Sequence, residues 1–315
     1  MESQLALEES PTGGEPVGNV YYGTSSWTDK TLLASKRFYP PSAKSAADRL
    51  RYYAERFPLV EVDSTYYALP SERNAALWIE RTPAHFVFNI KAFGLLTHHP
   101  VGARALPARL RESVGEEKQR LYRKDFPPDA LATVDDMFVS ALRPLEAAGR
   151  LGAVLFQFPR WFVPSRENRD YLHELAGSFP YRIAVEFRGG GWMKDDQSVE
   201  RTFALLEELG LTYVVVDEPQ GFKTSVPPVT AATSPDLAMI RFHGHNAENW
   251  EKRGISAAER FRYLYSEDEL EKWVDPAREL AGKAKQLHVL MNNCYQDYGV
   301  RNAAQIADLL TRERR

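Results

Sequence analysis

The sequence predicts an α/β chain of the (β/α)8 TIM-barrel-like class. Three observations lead there: eight short apolar runs rich in Val, Ile and aromatics, helical spacing between them, and polar residues gathered where the runs end. The 315 residues leave room for one barrel plus an additional segment, since such barrels take about 250 residues.

The runs fall at 19–24, 59–62, 86–90, 153–158, 182–187, 213–216, 239–242 and 287–291, and their continuous hydrophobicity is that of strands covered on both faces. After the first, Ser45 opens a helix in which Leu50, Tyr53 and Phe57 share a face. Residues 134–149 read as a second helix, with Met137, Ala141, Leu142 and Leu145 turned inward. Residues 196–209 stop at Gly210, Ser266 and Glu269 have capping-box spacing ahead of a helix ending near Gly282, and 302–311 close the chain. Strand followed by helix, eight times over, closes a parallel barrel. An open doubly wound sheet is the alternative, but Gly23-Thr-Ser-Ser-Trp27 after the first strand is no glycine-rich phosphate turn.

One connection is too long. About sixty residues separate Lys91 from Leu151, and 92–133 read as an insertion between strands three and four. It carries His98-His99-Pro100 and, between Gly102 and Lys124, seven Lys or Arg against three Glu. Such a segment is either a lid or substrate loop or a solvated helix pair. No internal repeat is apparent. Residues 1–19 are acidic, contain several Pro and Gly, and lack a basic start and an apolar core; they read as a disordered tail and not as a secretory signal.

With 43% hydrophobic and 26% charged residues, the composition is globular rather than fibrous or disordered. A net charge of −3 disfavours non-specific coating of nucleic acid. The single cysteine, Cys294, leaves no internal disulfide or thiolate cluster and fits a reducing, cytoplasmic setting. No apolar run reaches the ~18–20 residues of a membrane span. Oligomeric state is left open.

Side chains alternate inward and outward along a barrel strand, and barrel active sites lie at the carboxyl ends. Four of those ends read Glu61-Val-Asp63, Asn89-Ile-Lys91, Glu186-Phe-Arg188 and Arg241-Phe-His243, with polar residues two apart and so on one face. Gln157, Asp217-Glu218 and Asn292-Asn293 end three more, and Trp27, Tyr66, Trp192 and Trp250 follow others. Charges crowded in this way must pair with one another or face water. Glu61, Glu186 and Asp217 are candidate general acids or bases, and His243 is the proton carrier suited to neutral pH. Lys91, Arg188 and Arg241 would hold an anionic group or stabilise developing negative charge. Thr24, Trp27, Tyr66, Trp192, Trp250, Asn292 and Asn293 would wall the substrate.

No cofactor motif is present: GxSxG, Walker, SxxK and HExxH patterns are all missing. A divalent metal on Glu186, Asp217 and His243, with His245, is the alternative, and the neighbouring Lys91, Arg188 and Arg241 would compete for its carboxylates. Cys294 at the rim reads as a small semi-exposed residue rather than a nucleophile.

Read together, these strings resemble the domain of unknown function 72 family, the YecE-like proteins. The resemblance rests on Gly23-Thr-Ser-Ser-Trp27, Phe38-Tyr-Pro40, the stretch from Val60 through Glu61, Asp63 and Tyr66-Tyr67 to Pro70, and Phe86 to Lys91. It continues with Phe156-Gln-Phe-Pro159, Val185-Glu-Phe-Arg188, Arg241-Phe-His-Gly244, Asn292-Asn293 and Asn302-Ala303. It implies a TIM-barrel-like fold and brings no reaction with it. Ser26 stands where the family usually has Gly, and Asp63 and Tyr66 stand where Asn and Phe are common, so Asp63 adds negative charge to the mouth.

The leading expectation is an enzyme doing acid–base chemistry on a small polar or anionic, sugar- or phosphate-like substrate at the barrel mouth. A second is a nucleic-acid-binding or -processing protein that grips phosphates with Arg104, Arg109, Arg111, Lys118, Arg120, Arg123 and Lys124. A third is a non-catalytic receptor for a small metabolite.

Overall fold

Eight strands, all parallel, close into a barrel in chain order: β1 (Val20–Thr24), β2 (Leu59–Val62), β3 (Val87–Lys91), β4 (Leu151–Gln157), β5 (Ile183–Glu186), β6 (Thr212–Asp217), β7 (Leu237–Phe242) and β8 (Gln286–Met291). The structure, a computed structural model, describes residues 12–112 and 120–312. β8 pairs with β1 from Val20 opposite Leu287 to Thr24 opposite Met291, which closes the cylinder. Gly23 is required at the β1–β2 seam, because a Cβ there would lie 1.8 Å from the Leu59 carbonyl oxygen.

Helices cover the outside. Between β1 and β2 come α1 (Lys30–Ser35) and α2 (Ala46–Ala54), the latter opened by the Ser45–Asp48 capping box. Then follow α3 (Glu72–Glu80), the short α4 (Ala108–Glu112), α5 (Pro128–Ala147), α6 (Arg166–Ser178) and α7 (Asp196–Glu208). The last are α8 (Ala257–Arg260), α9 (Glu267–Glu271), α10 (Val274–Lys283) and α11 (Tyr298–Thr311). Outward-facing strand residues meet these helices, as where Phe88 stacks on Trp78 at 6.0 Å and Tyr213 packs on Phe203 at 5.0 Å.

Strand and helix do not alternate eight times: residues 218–236, between β6 and β7, contain no helix. Pro219, Pro227, Pro228 and Pro235 deny that stretch the amide donors a helix needs. Thr233 takes over part of the cover, its hydroxyl accepting from the Tyr213 amide at 2.8 Å and donating to the Leu211 carbonyl at 2.7 Å.

Two other expectations change. Of the tail expected over 1–19, residues 1–11 lie outside the described residues, and 12–19 are held by the Val17–Val20 bridge, a bond from His85 to the Gly14 carbonyl and the Asn19 amide on the Ala281 carbonyl. The insertion does contain a repeat. Residues 101–110 and 121–130 each run from a bridge residue through one 3-10 turn and a Pro into a helix. Val101 and Leu121 face each other through paired backbone bonds of 2.9 Å, and Leu106 and Phe126 occupy matching buried places. The sequence hides this because only the apolar and Pro positions recur. α5 starts at Pro128, earlier than expected, since proline at the first helical position forfeits no bond.

Candidate active site

The carboxyl ends of the strands enclose a charged cluster centred on Arg241, whose side chain is fully buried. It bonds Glu61 Oε1 through Nη2 at 2.6 Å, Glu186 Oε2 through Nη1, and Ser25 Oγ at 3.2 Å. The second oxygen of Glu186 receives Gln157 Nε2 at 2.6 Å, Arg188 Nε at 2.8 Å and His243 Nε2 at 3.1 Å. Arg188 in turn donates to Glu218 Oε2 at 3.1 Å, and Glu218 Oε1 accepts the Val226 amide at 2.7 Å. Asn292 contacts His243 Nδ1 at 2.8 Å. Seven strand ends, all but that of β3, thus feed one network, and the fixed fork of Arg241 suits two carboxylates at once.

The environment drives these groups apart. Burial alone would raise Glu186, but Arg241 and Arg188 hold it well below the ordinary carboxylate range. Glu218 goes the other way: burial outweighs Arg188 and pushes it up to about 7. Burial likewise lifts Asp63 to about 6 against the pull of Lys91. His243 is held neutral, at about 3, by burial and by the Arg188 charge. Lys91 is lowered by burial and by Arg241. Among the described residues Lys91 Nζ forms no ion pair; it sits 5.1 Å from the centre of the Tyr66 ring.

The aromatic rim differs from expectation. Tyr66 is in place, with the His99 ring 5.3 Å away, and His99 also meets Trp161, which is 52% exposed, at 5.8 Å. Trp250 lies over the Arg188 guanidinium at 5.5 Å. Trp192 does not line the mouth: it is stacked between Phe187 and Phe162, with its indole N–H on the Phe162 carbonyl at 2.6 Å. Trp27 packs on Trp78 at 6.2 Å.

Three more assignments are corrected. Thr24 faces α2, bonding Tyr53 OH at 2.9 Å, so that Ser25 is the inward residue. Asn293 ties β8 to α11 through Asn302 at 2.8 Å, leaving Asn292 at the site. Asp217 lies on the helix-facing side of β6 with Tyr213 and meets His245 Nε2 at 2.9 Å; Glu218 is the residue that turns inward. His245 is raised by its bond to Asp217. Asn89 stays deeper, bonded to His288 at 3.1 Å, and separates Lys91 from the barrel floor. Ser26 has no positive φ, so the glycine usual there is not needed for conformation. Ser25, Gln157, His99, Trp161 and Glu218 join the site beyond the residues assigned to it from sequence; of these, Gln157 and Glu218 are recognisable as polar strand-end residues.

Among the described residues, no group of three or more His, Cys, Asp or Glu is arranged to hold a metal ion. Glu186, Asp217 and His243 do not converge, because Glu186 is occupied by two arginines and Asp217 points elsewhere.

Residues 21–315 match the family described as protein of unknown function DUF72. The chain belongs to the DUF72 family. The UPF0759 protein YunF of Bacillus subtilis (strain 168) is 33% identical over 298 residues, covering 92% of this chain and 94% of that one. The UPF0759 protein YecE of Escherichia coli O157:H7 is 26% identical, covering 71% and 74%. Among solved structures, a DUF72 family protein from Thermotoga maritima MSB8 has a TM-score of 0.72 at 32% identity, covering 93% of this chain and 99% of that one. One from Enterococcus faecalis V583 has a TM-score of 0.73 at 24% identity, covering 94% and 97%, a likeness of fold. This DUF72 chain has no described helix long and apolar enough to cross a membrane.

Proposed function

We propose that the mouth of this DUF72 barrel is the active site of an enzyme doing acid–base chemistry on a small polar or anionic substrate. The observation that carries the reading is a division of labour among the cations. Arg241 is locked by Glu61 and Glu186, Arg188 by Glu186 and Glu218, and Lys91 forms no ion pair among the described residues. A substrate oxygen or carboxylate is the partner that Lys91 lacks, with Tyr66, His99 and Trp161 as the wall against which a ring or flat group rests. Asp63 and Glu218, lifted to about 6 and about 7, can donate protons and take them back near neutral pH. Glu61 and Glu186, both fully buried on Arg241, are positioning residues rather than the proton carriers first expected.

The basic insertion supports the nucleic-acid alternative poorly. Arg123 is drawn in over the Tyr171 ring at 5.2 Å and acts on Asp135, and Lys118 and the Arg109 side chain lie outside the described residues.

The test is turnover of a pool of small metabolites followed by mass spectrometry. One compound should fall and another rise with the native protein, and both changes should weaken at least about a hundredfold with Glu218→Gln or Asp63→Asn, the usual scale for losing a general acid. A compound that binds without conversion would overturn the catalytic reading in favour of a receptor. Salt-sensitive retention of DNA or RNA with no small-molecule conversion would favour the nucleic-acid reading.

A further inference from the structure

We infer that Lys91 Nζ is a nucleophile that forms an imine with the carbonyl carbon of a small oxo substrate bound in the mouth. The inference rests on the active-site reading above and names the substrate class for it: an aldehyde, ketone or 2-oxo acid.

The geometry points to covalent work rather than simple anion binding. Lys91 is the last residue of β3, so its Cα is fixed by the barrel, and the residue is half-buried, with Nζ 5.1 Å from the centre of the Tyr66 ring. Among the described residues, Arg188 and Arg241 at the strand ends are bound to carboxylates and this amine forms no ion pair. The charges around it are Arg241, which repels a proton on Nζ, and Glu61, Glu186 and Asp63, which favour one; desolvation and Arg241 prevail and lower the amine. A desolvated lysine beside a second fixed cation is the arrangement that exposes the free-base lone pair. The neighbours suit the proton transfers. Asp63 is largely protonated below about 6, and His99, neutral down to about 4, is close enough to feel both Lys91 and Arg188.

The step balances without an outside reagent. The Nζ lone pair attacks the carbonyl carbon, a C–N bond forms, and the C=O π electrons move to oxygen. That oxygen collects one proton from Asp63 and one released by the nitrogen, passed through His99, and leaves as water. The product is a protonated imine facing the Asp63 carboxylate, and water returned along the same path regenerates the amine. The iminium then draws electrons from the adjacent carbon, where a base can take a proton.

The experiment is competitive reductive methylation of the full-length native protein. Limiting 13C-formaldehyde, the smallest carbonyl probe, is given with cyanoborohydride at pH 7, and each lysine is quantified by peptide mass spectrometry. Lys91 should be labelled faster than the median exposed lysine, because lowering an amine raises its neutral, reactive fraction at pH 7. The 13C signal missing from Lys91→Arg should also titrate at lower pH than the remaining dimethyl-lysines. Labelling at or below the exposed-lysine rate, or titration together with the others, overturns the inference. A parallel thermal-shift panel of small carboxylates and phosphates keeps the two readings apart. If Lys91 labels slowly but an anion still stabilises the native protein and not Lys91→Met, the imine falls and the substrate mouth stands; if neither effect appears, both fall.

Discussion

Arg241 is the residue on which the mouth is built. Its guanidinium neutralises two carboxylates that are both fully buried, so Arg241→Met leaves Glu61 and Glu186 charged and partnerless on one side. Breaking a buried pair from one side costs about 3–5 kcal/mol, and urea unfolding should show a loss of that order. Arg188→Met should cost clearly less, because Glu186 keeps Arg241. Glu218 makes a prediction of the opposite kind. Its folded-state value of about 7 lies above the ordinary 4.5, so between those pH values the folded protein binds more protons than the unfolded chain. Stability from this group is therefore full below about 4.5 and is lost as pH rises through about 7. Glu218→Gln should remove that decline, making the variant more stable than the native protein at pH 8, relative to pH 5, by on the order of 2 kcal/mol. Thermal unfolding across pH reads it, and a native-like decline in the variant would contradict the assignment.

At the scale of the element, strands were legible and their ends only half so. Glu61, Lys91, Glu186, Arg188, Arg241 and His243 stand in polar-x-polar strings, where a period of two fixes the face without further information. Adjacent polar pairs carry no such phase. In Thr24-Ser25, Asp217-Glu218 and Asn292-Asn293, one member reaches the charged cluster and the other a helix or loop. His98-His99 behaves alike: a positive φ at His98 turns its ring to Phe162, and His99 meets Tyr66. Trp192 shows the limit for aromatics, since nothing in sequence separates a rim residue from one stacked between Phe187 and Phe162. Trp192→Ala should cost about 3–5 kcal/mol, measured by denaturant unfolding, as expected for a buried large-to-small change. Gly23→Ala should separate β1 from β2, because its Cβ would collide with the Leu59 backbone at 1.8 Å, and a soluble, native-like variant would contradict the seam as described.

At the scale of the molecule, the barrel follows from strand count and covered faces, and the missing helix between β6 and β7 follows from its prolines. The repeat in the insertion and the docking of residues 12–19 depend on long-range backbone pairing, which leaves no periodic trace. Beside the mouth, across Trp161 and His98, lies a cleft of about 950 Å³ lined by charges of both signs, including Arg123, Lys124, Glu167 and Asp170. It is the natural competitor for a ligand. A crystal structure of the native protein soaked with the compound it converts, or with the anion that most raises its melting temperature, decides between the two places. Density bridging Lys91, Arg188 and the Tyr66 ring is the predicted result; a ligand seated only in the cleft, with the mouth holding water alone, would contradict the account.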